Sequence, residues 1–247
     1  MLRPRFFTTQ ALAADALLTL EPDPSRHIAR ALRMQPGDLL SLFDGSDREA
    51  RARIEAIDRN AVTTRIEHIA ECSRESPLDL ALAIALSRGD RVDTIVQKAT
   101  ELGATSIHPL VSERTGVRLD EKRLDRKRQH WQRIAASACE QCGRNRLPRI
   151  EPIASLRDVL ARAAAGDATR LVLHPGEADP ALPTACSALW LLVGPEGGFA
   201  DGEVDLAAQA GFRGFGLGPR ILRTETAPLV AIALAQARWG DLPFSGC

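Results

Sequence analysis

Leu189-Trp-Leu-Leu-Val-Gly-Pro-Glu-Gly-Gly-Phe199 carries five apolar residues into a glycine-rich turn. An unbroken apolar run of this length, closed by a turn, is the pattern of a strand buried on both faces. Glycines directly after such a strand let the backbone come close to a ligand and offer its own N–H and C=O groups. Upstream, Leu80-Ala-Leu-Ala-Ile-Ala-Leu86 repeats the buried-strand pattern, and Ser106-Ile-His-Pro-Leu-Val111 and Leu171-Val-Leu-His174 extend it. Helical patterns lie between these runs. Asp90 is placed to cap a helix whose apolar face is Val92, Ile95, Val96, Ala99 and Leu102, closed by Gly103. A long amphipathic helix spans 121–142, and another runs from Asp201 to Ala210. Strands alternating with helices predict an α/β domain with a mostly parallel sheet.

Residues 1–70 read differently. Leu39-Leu-Ser-Leu-Phe43 ends at the turn Asp44-Gly45-Ser46. Arg51–Ile57 and Val62–Ile69 follow as alternating strands, with Asp58-Arg-Asn60 as the hairpin between them. One short helix, with Ser25 as its cap and Ile28 and Leu32 on its apolar side, carries Arg26, Arg30 and Arg33 on the other. Glu71–Pro77 is polar and aperiodic. The reading is a small β-rich domain (1–70), a linker (71–78) and an α/β domain (79–247).

Composition narrows the function. The 32 Lys+Arg balance 32 Asp+Glu, which excludes a uniformly basic coat for nucleic acid but leaves room for a local basic face. Such an excess lies between Pro109 and Ile150, where 11 cations meet 5 acids. Clustered arginine is what a phosphate backbone rewards, although interspersed Asp120, Glu121 and Asp125 also fit an exposed helix face. Arg144, Arg146 and Arg149 crowd an irregular stretch expected to be exposed. The run from Met1 to Gln10 lacks an apolar core, no stretch reaches the roughly 18 residues of a membrane span, and five scattered cysteines form no disulfide framework. Cytoplasmic residence is therefore expected. Cys139-Glu-Gln-Cys142 has no second pair to complete a zinc site, and His108 and His174 have no ligand partner at metal spacing, so no metal is expected. The glycines match neither G-x-x-x-x-G-K-[ST] nor a G-x-G-x-x-G that opens a first βαβ unit, which sets aside the phosphate loop and the dinucleotide fold.

Leu192-Val-Gly-Pro-Glu-Gly-Gly198 and Leu217-Gly-Pro-Arg-Ile-Leu-Arg-Thr-Glu-Thr-Ala227 together resemble the paired cofactor motifs of the knotted SPOUT methyltransferases. Further matching segments are His27–Met34, Gln97–Gly103, Ser112-Glu-Arg114 and Ala138–Pro148. They span most of the chain in order and are similar to one branch, the 16S rRNA uridine-N3 methyltransferases (the RsmE family). Pro228, just after the second motif, is the main departure, and its place early in a helix tolerates it.

The resemblance implies a PUA-like β-barrel for RNA, followed by a SPOUT α/β domain with a C-terminal trefoil knot, working as a homodimer on 16S rRNA of the small ribosomal subunit. It implies S-adenosylmethionine as cofactor, held by Leu173, His174, Pro175, Gly194, Glu196, Gly198, Leu217, Gly218, Ile221, Leu222 and Thr226. For the chemistry, Arg114, Arg220 and Arg223 are candidates to stabilise the anion on uracil, and Glu196 and Glu225 to accept the N3 proton. Arg5, Arg26, Arg30, Arg33, Arg144 and Arg146 are the candidate RNA contacts, and Trp131, Phe199 and Phe215 the aromatic rings that could stack on a flipped base. Ala227–Trp239, apolar on nearly every side, is the expected subunit interface. Two alternatives stay open: a knotted RNA methyltransferase acting on a ribose 2′-hydroxyl or a purine nitrogen, and a non-catalytic RNA-binding assembly factor.

Overall fold

The computed structural model describes residues 3–59, 61–87, 89–115, 121–174 and 182–243. Asn60, Asp120 and Pro175, named above, lie outside the described residues, as do Arg118 among the counted cations and Cys247 among the five cysteines. The chain forms two compact units, Met1–Glu75 with Ala136–Leu147, and Ser76–Ala135 with Pro148–Cys247.

In the first unit, β1 (Arg5–Phe7), β2 (Leu17–Thr19), β3 (Leu39–Phe43), β4 (Arg48–Ile57) and β5 (Val62–Glu71) form a five-stranded sheet in the order β1-β3-β4-β5-β2. The β1–β3 pair is parallel and the others antiparallel. Period-two alternation decides the faces. Ala50, Ala52 and Ile54 of β4 point into a core with Phe6, Ile28, Leu40, Leu42, Val62 and Ile66. Arg51, Arg53 and Glu55 point outward, where Arg51 and Arg53 meet Glu67 and Arg65 meets Glu55 across the strands.

The short helix corrects the sequence reading. It begins at Pro22, so α1 (Pro22–Arg26) starts four residues early, with Glu21 at the cap position and proline at the start, where its missing N–H costs nothing. A π-helical turn, His27–Ala31, follows. Ser25 is buried inside α1 and caps nothing. Its hydroxyl donates to the Leu20 carbonyl (3.0 Å) and accepts from the Val62 amide (3.1 Å), pinning the helix to the sheet.

Residues 136–147 belong to this unit, which the sequence reading did not foresee. Arg144 is 5% exposed and forks onto both carboxylate oxygens of Glu75 through Nε (3.1 Å each) and Nη2 (2.5 Å). Arg5 donates to Glu49, to Asn145 Oδ1 (2.8 Å) and to the carbonyls of Gly143 and Arg144 (3.1 Å each). Cys139 is buried beside the Arg146 carbonyl, and burial pushes its thiol up to about 12. A thiol held protonated packs well and reacts poorly.

The second unit is a seven-stranded parallel sheet of β6 (Asp79–Ala85), β7 (Ser106–Val111), β8 (Arg149–Ile150), β9 (Ala154–Ser155), β10 (Thr169–Leu173), β11 (Ala188–Val193) and β12 (Arg213–Phe215). The order is β12-β10-β11-β6-β7-β8, with β9 also on β7. The central strands are buried on both faces, as their apolar runs demand. Leu80, Leu82 and Ile84 of β6 face one core, and Ala83 and Ala85 the other. The first core is covered by α2 (Arg91–Glu101), by Trp131 of α3 (Glu121–Cys142) and by α6 (Ala227–Trp239). The second is covered by α4 (Leu156–Ala164), capped by Ser155, and by α5 (Asp201–Gln209). Asp90 stands at the N-cap of α2 but its side chain makes no cap hydrogen bond.

His108 of β7 pairs with Ala83 of β6, and across that strand its ring centroid stands 4.3 Å from that of Trp190 on β11, with Nε2 3.0 Å from Ser106 Oγ. Burial, with help from Arg162 and Arg149 and against Glu151, lowers its pKa from 6.5 to about 4. The folded state therefore keeps His108 neutral where the unfolded chain takes up a proton. Its stability contribution is whole above pH 6.5 and is lost as pH falls from 6.5 towards 4. This amounts to about 2 kcal/mol between pH 7 and pH 5. Urea titrations at the two pH values on wild type and His108→Gln test this: the variant is expected to lose that much less.

Candidate active site

The sheet order reverses direction at β6: β7 lies on one side, while β11 and β10, later in the chain, lie on the other. Open α/β sheets bind ligands beyond the carboxyl ends of strands at such a point. The carboxyl ends of β10, β11 and β12 open here into a cavity of about 350 Å³, of the size that small-molecule and cofactor sites have.

Each strand delivers a wall. From β10 come Leu173 and His174, from β12 Phe215, and from the turn after β11 the run Val193–Phe199. The loop leading to α6 adds Leu217, Gly218, Arg220, Ile221, Leu222, Thr224 and Ala227. Of the residues expected to hold the cofactor, Leu173, His174, Gly194, Glu196, Gly198, Leu217, Gly218, Ile221 and Leu222 therefore share one cavity. Thr226 is not on its wall; it is the N-cap residue of α6, where its amide donates to the Arg223 carbonyl (2.9 Å). Of the expected catalytic residues, Arg114, Glu196 and Arg220 line the cavity, and Arg223 and Glu225 do not.

Arg114 reaches the site through hydrogen bonds between two loops. Its Nη1 donates to the Gly197 carbonyl (2.8 Å). The Glu203 carboxylate accepts from the Glu113 amide (2.7 Å) and from the Ala200 amide at the start of α5 (3.0 Å), tying the Arg114 loop to the glycine turn. Glu203→Ala is expected to cost about 1–2 kcal/mol of stability in urea unfolding, since a carboxylate shared by two amides is lost, and to lower turnover through a misplaced Arg114.

Sequence reasoning missed Arg91, Asp201, Glu203 and Thr224. Arg91, the first residue of α2, pairs with Glu196 and, at 3.5 Å, with Glu225. A signal was present: a cation in the first turn of a helix opposes the helix dipole, so its placement calls for carboxylates from elsewhere in the fold. Trp131 proves to be a core residue, 1% exposed, its Nε1 donating to Asp93 (2.8 Å), so it does not stack on a base. Phe199 and Phe215 do line the cavity.

The expected RNA contacts divide. Arg26, Arg30 and Arg33 are exposed, and Arg146, paired with Asp47, keeps 57% of its side chain exposed. Arg144 is buried and the Arg5 side chain is 10% exposed, each in the ion pairs described above, so the exposure expected for Arg144 is corrected. Unit charges in a sequence do not show which carboxylates will enclose them. Among the described residues, no group of three or more His, Cys, Asp and Glu side chains is placed to hold a metal ion, and no helix is long and apolar enough to cross a membrane.

Comparison with known proteins places these features in a family. The RNA methyltransferase domain family matches residues 74–236, and the RNA methyltransferase PUA domain family matches residues 20–67. The chain is 32% identical to ribosomal RNA small subunit methyltransferase E of Bacillus subtilis, over 92% of either chain. It is similar to a Legionella pneumophila protein solved in complex with the cofactor SAM (37% identity, TM-score 0.94, 98% of this chain and 100% of that one). It is also similar to ribosomal RNA small subunit methyltransferase E of Neisseria gonorrhoeae, solved with S-adenosyl methionine (38%, TM-score 0.91, 97% and 99%).

Proposed function

The chain belongs to the RNA methyltransferase family, in its ribosomal small-subunit methyltransferase E branch, with a PUA-like domain ahead of a SPOUT-type one, and we propose that it methylates N3 of a specific uridine in 16S rRNA, using S-adenosylmethionine. The observation that carries this reading is the convergence of both glycine-bearing motifs on one cavity.

The residues present fit that cofactor. Leu173, Leu217, Leu222 and Phe215 give apolar walls for a purine ring. Gly198 and Gly218 stand at φ +68° and +87° with open space where a side chain would be, so their backbone is free to approach a ligand. Glu196 and Asp201 give the wall a negative side suited to an amino group. When bound, the cofactor supplies a methyl group already activated on a sulfonium. The protein's task is then alignment, charge and one proton. Arg114 and Arg220 bring positive charge to the wall where the uracil ring becomes anionic as N3 loses its proton. Of the two candidate proton acceptors only Glu196 lines the cavity, which favours it over Glu225.

N3 lies on the Watson–Crick edge, so the target base must be unpaired or flipped, and Phe199 or Phe215 offers a ring to stack on it. Arg26, Arg30, Arg33 and Arg146 contact RNA phosphates in this reading. The chain acts as a homodimer in the cytoplasm. Support for the dimer comes from α6, where Leu234 is 51% exposed and, with Leu182, Ala237 and Trp239, lines a second, apolar cavity.

The test is methyl transfer to small ribosomal subunits from a strain lacking the endogenous enzyme, with the product nucleoside identified by mass spectrometry. Stoichiometric 3-methyluridine is expected. A different methylated nucleoside would sink the uridine-N3 assignment, and an unmodified subunit would sink the enzymatic reading.

A further inference from the structure

Glu196 and Glu225 come from different segments. Glu196 sits in the turn after β11, and Glu225 in the loop that enters α6. Both loops wall the cavity, and neither carboxylate is left to itself: one guanidinium, Arg91, pairs with Glu196 and approaches Glu225 to 3.5 Å. Arg223 stands 3.9 Å from the other oxygen of Glu225. Arg91 does not line the cavity. It starts α2, whose Val92, Ile95, Val96 and Ala99 are locked into the core, so its backbone is anchored there.

We propose that Arg91 is a positioning residue that clamps the two cofactor loops to one another by bridging Glu196 and Glu225, and so sets the affinity of the site for S-adenosylmethionine. The inference rests on the cofactor assignment above, but not on which nucleotide is methylated. Planar guanidinium geometry matters here. Arginine presents several donors in a fixed fork and can serve two carboxylates from two edges, whereas a lysine ammonium is a single point charge. With Arg91 absent, Glu196 loses its cation, Glu225 keeps only Arg223 at 3.9 Å, and the loops lose their common bridge. Because Arg91, Glu196 and Glu225 are all partly exposed, the pairs themselves add little to global stability. Their effect is local: they hold the two loops in the arrangement the ligand requires, so that binding need not order them.

The experiment measures S-adenosylmethionine dissociation by calorimetry, its KM and kcat on small subunits, and the melting temperature of the ligand-free chain. It compares wild type, Arg91→Ala and Arg91→Lys, and adds Glu225→Gln alone and with Arg91→Ala. Arg91→Ala is expected to weaken cofactor binding roughly five- to tenfold and raise KM in step. The ligand-free melting temperature should hold, as exposed ion pairs allow, whereas saturated turnover reports separately on Glu196, the candidate proton acceptor, which loses its paired cation. Arg91→Lys should fall short of wild type, and Glu225→Gln should have a smaller effect once Arg91 is already gone. Unchanged cofactor affinity in Arg91→Ala, full recovery with lysine, strict additivity with Glu225→Gln, or a ligand-free melting temperature that falls along with affinity would each overturn the clamp. If wild type itself shows no binding in calorimetry, the cofactor assignment fails instead. If wild type binds and methylates another nucleoside, only the uridine reading fails and the clamp is still decided by the binding data.

Discussion

Gly218→Val abolishes the thermal stabilisation that S-adenosylmethionine gives the wild-type chain and cuts methyl transfer by at least about a hundredfold, the scale that misplacing a bound reactant reaches. Gly218 stands at φ +87° on the cavity wall, and a Cβ added to it meets nothing within 4 Å. Two separate penalties follow. A β-branched residue in the left-handed region is a steric outlier and costs about 1–2 kcal/mol in the loop itself. The side chain also fills space that a ligand needs in order to reach the backbone. A ligand at 100 times its dissociation constant stabilises the native state by about 2.7 kcal/mol. For a chain of this length that raises the melting temperature by roughly 5–10 °C. The variant should show no such rise while still unfolding cooperatively. A preserved ligand-induced rise would place the cofactor elsewhere.

The parts of this protein that could be read from sequence are those where one physical cause dominates. Leu80–Leu86 and Leu189–Val193 are apolar at every position because both faces of their strands are covered, and the structure shows both cores. The glycine turns were legible because a turn after a buried strand has few other uses. Strands β1, β2, β8, β9 and β12 have two or three residues each, too few for any period to appear. The helix α4 was there to be read: Ser155-Leu-Arg-Asp158 is a capping pattern ahead of Val159, Leu160 and Ala163, and Ser155 Oγ does accept from the Asp158 amide (3.2 Å). The charged residues mislead in a different way. Arg144 and Arg146 are two positions apart on the same irregular stretch, yet one is buried on Glu75 and the other reaches solvent beside Asp47. The same local sequence supports both fates, and carboxylates some seventy to a hundred residues away decide between them. Arg91 was overlooked for the same reason, since its partners lie more than a hundred residues downstream.

That contrast makes Arg144→Ala against Arg146→Ala the sharpest test of the first unit. The Arg144 and Glu75 side chains keep only 6% and 13% of their surface exposed. Removing the guanidinium leaves a carboxylate enclosed without its cation, a loss of about 3–5 kcal/mol for buried pairs. The melting temperature should fall by roughly 10 °C on the same scale as above. Removing Glu75 as well should restore part of the loss, because the enclosed charge goes with it. Arg146 is more than half exposed and pairs with an Asp47 that keeps 31% of its side chain exposed, so Arg146→Ala should cost about 1 kcal/mol, well below Arg144→Ala. Its effect should appear in RNA binding: weaker affinity, and a salt dependence shallower by about 0.7–0.9 in the log–log slope for one phosphate contact removed. Equal and small stability losses in both variants would mean that the Arg144 pair is no more than a surface contact. A salt slope unchanged by Arg146→Ala would take that residue out of the RNA footprint. The two arginines thus separate what holds the fold from what meets its substrate, and a motif that counts both as basic cannot make that distinction.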